Sequence, residues 1–237
     1  MKEIFRESYE GYLTYMSTLV PNFRETFGSN ARRKQCESVV DSINERFGFE
    51  KLNIVETGAS HNPYDGIFGY FLALAAFKTD GKIVTVDINE EFLNKNKEIY
   101  NNHFPKLNCG FHKGDSVEFL KSLQGDDVPN FIHLDSWDLN LKNPLPSALH
   151  GWNEFVAIES KMLSGSIIVI DDNFISGQWV EWNYSDGRKS ERITITYPIL
   201  GKGANVYQYV LSGNSDWDLI GTHYKDLGNI KVIIQKK

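Results

Sequence analysis

Cysteine is scarce in this chain: Cys36 and Cys109 are the only two in 237 residues. They build neither a disulfide framework nor a cysteine metal cluster. Both read as small buried hydrophobes in a reducing compartment, by default the cytoplasm. Long apolar runs are also lacking. The longest, Ile67 to Phe77 with Gly69 inside it, falls short of the roughly 20 residues a bilayer span needs. The opening residues, MKEIFRESYEGY, carry charge throughout and no apolar signal-peptide core, so no membrane partner is expected. Basic excess is missing too: Lys+Arg 25 against Asp+Glu 31 gives a net charge of −6. That balance argues against broad binding to a nucleic-acid backbone. No repeat, low-complexity tract or Pro/Gly-rich linker divides the chain. A content of 41% hydrophobic and 24% charged residues excludes a disordered or fibrous protein, and the length fits one larger α/β domain.

Residues 1–50 read as a helical extension. Phe5, Tyr9, Tyr12, Leu13 and Met16 form one stripe, and Cys36, Val39, Val40, Ile43 and Phe47 form a second at helical spacing. From residue 51 to 237 the pattern changes to that of the main domain. Short apolar runs at Leu52–Val55, Ile83–Val86, Gly110–Lys113, Phe131–Leu134 and Ile167–Ile170 alternate with helical stretches at Phe68–Phe77, Glu90–Tyr100, Val117–Leu123 and Leu149–Leu163. Such alternation predicts a doubly wound Rossmann-like parallel sheet covered on both faces. In the tail, 179–191 reads as loop, Ile193–Thr196 as a short strand and Gly203–Leu211 as a helix. Trp217–Tyr224 and Ile230–Gln235 read as a terminal antiparallel hairpin, giving a mixed sheet of about seven strands.

Ligands of such sheets bind beyond the carboxyl ends of the strands, near the switch point. All five parallel strands close on an acid or an acid-bearing turn: Glu56, Asp87, Asp115, Asp135 and Asp171/Asp172. Asp87, at the end of the second strand, suits hydrogen bonding to ribose hydroxyls. The turn after the first strand runs Glu56-Thr-Gly58-Ala-Ser60-His-Asn-Pro-Tyr-Asp65-Gly66. It lacks the second glycine of a dinucleotide-binding turn and carries two acids, a poor setting for a pyrophosphate. A cationic nucleoside fits better, and S-adenosylmethionine, with its sulfonium and adenosine, is such a ligand.

In this order and spacing, Glu56-x-Gly58-x-Ser60, Asp87 and Gly114-Asp115-Ser116 resemble the motifs of the class I S-adenosylmethionine-dependent methyltransferases. The resemblance implies that Glu56, Gly58, Ser60, Asp87, Asp115 and Ser116 contact the cofactor, together with Asp135 and Trp137 beyond the fourth strand. A narrower resemblance covers residues 131–177. Phe-Ile-His-Leu-Asp135-Ser-Trp137, and Ser-Gly-Ser-Ile-Ile-Val-Ile-Asp-Asp172-Asn173-Phe-Ile-Ser-Gly177, look like the catechol O-methyltransferase group. That likeness implies a divalent metal, Mg²⁺ by preference, on Asp135, Asp172 and Asn173, holding a hydroxylated small molecule such as a diol, phenol or sugar. Two carboxylates and an amide oxygen are hard donors suited to it.

The sequence departs from that group at Asp138, which stands where the group has a catalytic lysine. Lys142 and Lys202 are the lysines elsewhere that could take its part. For proton abstraction the candidates are His150, because an imidazole is the side chain most often used as a general base, and Asp138. His133 reads as structural. Trp179, Trp182, Tyr184, Tyr197, Tyr207 and Tyr209 could wall a substrate pocket, Trp179 or Trp182 foremost. The expected function is O-methylation of a small hydroxylated compound, with no nucleic-acid partner and a homo-oligomer compatible with the sequence. A metal-independent methyltransferase, an inactive cofactor-binding protein and a nicotinamide dehydrogenase are the alternatives.

Overall fold

Short strands and helices alternate in space as they do along the chain. The computed structural model describes residues 51–59, 67–182, 191–213, 215–223 and 230–237. The expected helical extension over 1–50, together with Cys36, Ser60, Tyr184 and the side chain of Trp182, lies outside the described residues. The strands are β1 (Asn53–Thr57), β2 (Lys82–Asp87), β3 (Asn108–Lys113), β4 (Phe131–Leu134), β5 (Ile167–Ile175), β6 (Trp179–Trp182), β7 (Glu191–Thr194), β8 (Ile199–Gly201), β9 (Trp217–His223) and β10 (Ile230–Lys236). The helices are α1 (Ile67–Lys78), α2 (Glu90–His103), α3 (Ser116–Ser122), α4 (Leu145–Ile158) and α5 (Ala204–Leu211).

The main sheet runs β3-β2-β1-β4-β5-β10-β9, with β8 added to the far end of β5. The first five strands are parallel, while β10 is antiparallel to both β5 and β9. The Rossmann-like reading is therefore borne out, with eight strands rather than seven. From β1 the chain steps outward to β2 and β3, then returns to lay β4 on the other side of β1. The switch point thus falls between β1 and β4, where a crevice must open because the connections leave in opposite directions.

Strand geometry sorts the side chains. Ile54, Ile83, Phe131, Ile167 and Val169 point to one face with Phe71 and Ala73 of α1 and Tyr100 of α2. Val55, Val86, Ile132, Ile168 and Ile170 point to the other with Phe155 of α4, Val206 of α5 and Trp217. Each fully buried side chain of this size contributes about 1.5–3 kcal/mol. Helix α1 is apolar nearly all round because one side meets the sheet and the other is covered as well; Phe68, Tyr70, Phe71, Leu72, Ala73, Leu74, Ala75 and Ala76 are all buried. Helix α2 is amphipathic, with Leu93, Asn96 and Tyr100 inward and Asn89 capping its start by accepting from the Glu91 N–H at 2.9 Å.

Three sequence expectations shift. Helix α4 starts four residues before Leu149, because Pro144 and Pro146 fit a first turn, where no amide donor is needed. The polar stretch from Trp179 pairs as β6 with β7 in a separate two-stranded sheet rather than staying a loop. Strand β5 does not stop at Ile170 but runs on through Asp171, Asp172 and Asn173, since β8 clips onto Asn173–Ile175. Among the described residues no helix is long and apolar enough to cross a membrane.

Candidate functional site

At the switch point the chain leaves β1 through Gly58, whose φ of +86° is open to glycine but strained for other residues. A side chain there would also collide with the Asp135 carbonyl oxygen, 2.6 Å from where its Cβ would lie. The backbones beyond β1 and β4 therefore touch, and the Gly58 N–H donates to the Val86 carbonyl at 2.8 Å. Asp87, at the tip of β2, accepts from the Ala59 N–H at 2.7 Å and from the Asn89 N–H at 2.6 Å. Its carboxylate is thereby fixed at the mouth of a pocket of about 170 Å³ lined by Gly58, Asp87, Asp115, Ser116, Trp137 and His150. Asp115 caps α3, accepting from the Glu118 N–H at 2.9 Å, while remaining on the pocket rim.

His150 projects into the same pocket from α4. Its Nε2 lies 2.8 Å from Ser136 Oγ and 3.2 Å from Ser116 Oγ, and Ser136 donates to the buried Glu154 at 2.7 Å. Trp137, at φ +65°, is more than half exposed and stacks on the imidazole with ring centroids 5.1 Å apart. His150 thus sits with the residues expected to hold the nucleoside, in contact with two serines. Asp138, the other expected base, is exposed on the loop that follows. Glu56 is not in the pocket. Only 5% exposed, it turns under α1 and α2 and accepts from Thr85 Oγ1 at 3.2 Å and Tyr100 OH at 3.3 Å.

The residues expected to bind magnesium do not fit that ion. Asp135 and Asp172 do converge, but a lysine ammonium stands between them: Lys202 Nζ donates to Asp135 Oδ1 at 2.6 Å and lies 2.9 Å from Asp172 Oδ2. It also donates to the Asp135 carbonyl at 3.1 Å. Burial alone would favour the neutral amine; the attraction of Asp135 and Asp172 outweighs it and raises the pKa, so the cation is firmly held. Asn173 is spent elsewhere. Its Nδ2 donates to the carbonyls of Ile170 and Asp171 at 3.0 and 2.9 Å, and its Oδ1 accepts from the Gly203 N–H at 2.7 Å. The expectation failed because β5 continues past the acids and folds the amide into its junction with β8.

Asp172 itself has φ +53°. Burial, with repulsion from Asp171 and Asp135, pushes its carboxyl above the usual range despite Lys202. Asp135 and Asp172 each remain about one-third exposed, at 32% and 33%, so the pair faces outward while its lysine is buried behind.

Beneath this pair a line of charges crosses the sheet. His133, 1% exposed, lies between Glu56 (Nδ1 to Oε1, 3.6 Å) and Asp171 (Nε2 to Oδ2, 3.7 Å). Asp171 pairs with the buried Lys231 of β10. Phe68 roofs the row, with its ring 4.3 Å from both the imidazole and the Lys231 Nζ. Burial opposes charge on His133, but Asp171 and Glu56 overcome it and raise its pKa. Asp171 also resists the penalty of burial; Lys231 and His133 hold its carboxyl well below the usual range. His133, Asp135 and Asp171 bring ligand-type atoms within 4.8 Å of one another, yet Lys231 and Lys202 already engage both acids. The structural reading of His133 agrees with its burial.

Lys202 had one sequence signal, its place between Gly201 and Gly203 after a short apolar strand. The partnership of Lys231 with Asp171 had none, because it depends on the return of β10. Of the expected pocket aromatics, Trp179 is half exposed beneath the Arg192 guanidinium, 3.8 Å from its ring, and Tyr197 is exposed. A larger hollow, about 900 Å³, opens at the amino ends of the strands beside Lys51, Lys82 and Lys161. Lys82 is engaged by Asp127 and Lys161 by the carbonyls of Leu120 and Lys121. The smaller pocket, at the carboxyl ends, is the one placed where sheets of this class bind ligands.

No family model matches the sequence, and no curated protein matches it either. Solved structures do. SMU.1697c from Streptococcus mutans, assigned as a methyltransferase and solved in complex with SAH, superposes with a TM-score of 0.54 at 13% identity, covering 86% of this chain and 98% of that one. A Clostridium thermocellum protein assigned as an rRNA-methylase gives 0.51 at 14% identity, over 85% of this chain and 95% of that one. TrmN from Thermus thermophilus gives 0.52 at 9% identity over 84% of this chain, which spans 48% of TrmN. The chain shares the fold of these methyltransferases.

Proposed function

We propose that this protein is an S-adenosylmethionine-dependent methyltransferase acting on an oxygen of a small hydroxylated compound, with no divalent ion at its acid pair. The observation that carries the reading is the switch-point pocket. Gly58 lets the backbone close on β4, and Asp87 is fixed by two backbone donors at the position that suits a ribose. Asp115, Ser116, Trp137 and His150 complete the pocket's wall. The rim is acidic, which suits a sulfonium and repels a pyrophosphate. The cofactor supplies an electrophilic methyl group.

The chain's own residues supply orientation and a proton acceptor. Asp135 and Asp172, held by Lys202, stand beside the pocket with their carboxylates partly exposed. Asp172, whose affinity for protons burial and its acidic neighbours raise, would accept the substrate hydroxyl's proton, while a bound S-adenosylmethionine would give up its methyl by cleavage of the carbon–sulfur bond and leave as the neutral thioether SAH. In-line placement of that oxygen contributes by proximity.

RNA is the second reading for the substrate, favoured by the likeness to the rRNA-methylase. The acids Asp87, Asp115 and Asp135 around the pocket and the net charge of −6 weigh against it, because phosphates would be repelled. Calorimetric titration with SAH tests the pocket. Transfer of radiolabelled methyl to a panel of diols, phenols, sugars and total RNA, with and without chelator, tests the rest. Chelator-resistant labelling of a small hydroxylated compound is the expected result. Failure of SAH to bind overturns the reading.

A further inference from the structure

We propose that Lys202 is a built-in cation occupying a latent divalent-metal site, so that its removal turns this protein into a metal-binding one. The acids of such a site are present and converge. Asp135 and Asp172 come from neighbouring parallel strands, and a single Nζ touches a carboxylate oxygen of each, at 2.6 and 2.9 Å. Two carboxylates this close repel each other unless a cation lies between them. A hard divalent ion meets that need with oxygen ligands and water; here the ammonium meets it.

The lysine is built into this place rather than draped over it. Its side chain is 4% exposed, so the stem is packed and the charge cannot swing into solvent. The backbone around it is pinched. Gly201, at φ +138°, leaves only 2.1 Å between a hypothetical Cβ and the Asp172 carbonyl oxygen. Across the helix interface, a Cβ on Gly151 of α4 would lie 2.4 Å from the Lys202 carbonyl oxygen. The Lys202 N–H donates to the Asp172 carbonyl at 3.3 Å, and the next N–H, of Gly203, is taken by Asn173. Segment 201–203 therefore has one seat, between β5 and α4, and that seat aims Nζ at the two acids. All three ammonium hydrogens have acceptors there: Asp135 Oδ1, the Asp135 carbonyl and Asp172 Oδ2.

The test reads metal binding directly and does not depend on methyl transfer, so it stands apart from the assay of the proposed function. Wild type, Lys202→Ala, Lys202→Arg and Lys202→Ala/Asp172→Asn are titrated with Mn²⁺, following loss of the free-ion electron paramagnetic resonance signal. Wild type and Lys202→Arg are expected to take up no stoichiometric Mn²⁺, whereas Lys202→Ala binds one equivalent and the double variant loses most of that affinity. Thermal unfolding gives a second readout: Mn²⁺ raises the midpoint of Lys202→Ala and leaves wild type unchanged. Lys202→Met, which keeps most of the stem, is read in the same way where alanine packs poorly. Stoichiometric Mn²⁺ uptake by wild type overturns the proposal. So does a folded Lys202→Ala or Lys202→Met protein that binds none.

Discussion

The indole of Trp137 lies over the imidazole of His150 with centroids 5.1 Å apart and planes inclined by 28°. One residue follows β4 and the other rises from α4, so the stack joins the two elements across the mouth of the pocket. An aromatic pair of this kind is worth about 0.5–1.5 kcal/mol beyond its buried area. If the adenine lies against this wall, Trp137→Ala weakens SAH binding about tenfold, and calorimetry measures it. Because Trp137 is largely exposed, the far-ultraviolet dichroism of the variant stays that of wild type. Unchanged affinity would remove this wall from the nucleoside site.

Asp87 performs two tasks that one substitution separates. Its carboxylate accepts two backbone N–H groups and also faces the pocket. Asp87→Ala deletes both, and hydrogen bonds to a charged group are each worth about 1.5–3 kcal/mol. The SAH dissociation constant is expected to rise by about 10- to 100-fold, with kcat/KM for methyl transfer falling in parallel. Asp87→Asn, which keeps one acceptor oxygen, should fall between the two.

Lys231 faces Asp171 where neither reaches bulk water freely. Replacing the lysine leaves this buried carboxylate only the His133 imidazole, 3.7 Å away, as a cationic partner, and breaking a buried pair typically costs about 3–5 kcal/mol. Lys231→Met should lower the urea unfolding free energy by that order. Adding Asp171→Leu should restore much of it, because the under-compensated charge is then gone. A double variant no more stable than Lys231→Met would show that the pair is not the source of the loss.

The same row predicts a pH dependence. His133 binds its proton more tightly folded than unfolded, where its pKa is about 6.5. Its contribution to stability is therefore complete below that value and is lost as the pH rises through the folded pKa. Asp171 has the opposite sign: its contribution is complete above 3.8 and is lost as the pH falls through its lowered folded value. Urea midpoints measured from pH 6 to 9 should decline for wild type, and the decline should be shallower for His133→Gln. Parallel curves would place the titrating group elsewhere.

Much of this fold can be read locally. The apolar runs at Ile83–Val86 and Phe131–Leu134 have no competing periodicity, and each parallel strand needs only its neighbouring helix to be recognised. The nucleoside end of the site is equally local, since Gly58 and Asp87 lie at strand tips whose order follows from the crossover rule. The acceptor end is not. Whether Asp172 and Asn173 meet a metal or a lysine depends on β8 returning from about 25 residues away to pair with β5. The interior position of Glu56 depends likewise on Tyr100 and His133, which come from other elements. Sequence spacing carries the parallel half of the sheet, and long-range antiparallel pairing decides the chemistry of its edge.

The row Glu56, His133, Asp171 and Lys231 alternates in sign as it crosses four adjacent strands. Neighbouring strands slide past one another by single residues, and each slide turns side chains to the opposite face. A slipped β10 would turn Lys231 into the other apolar face, where Ile230 and Val232 now pack, and set one of those two against Asp171. The electrostatic row thus acts as a vernier. Strand β10, seated between β5 and β9, has one alignment in which every charge finds its opposite.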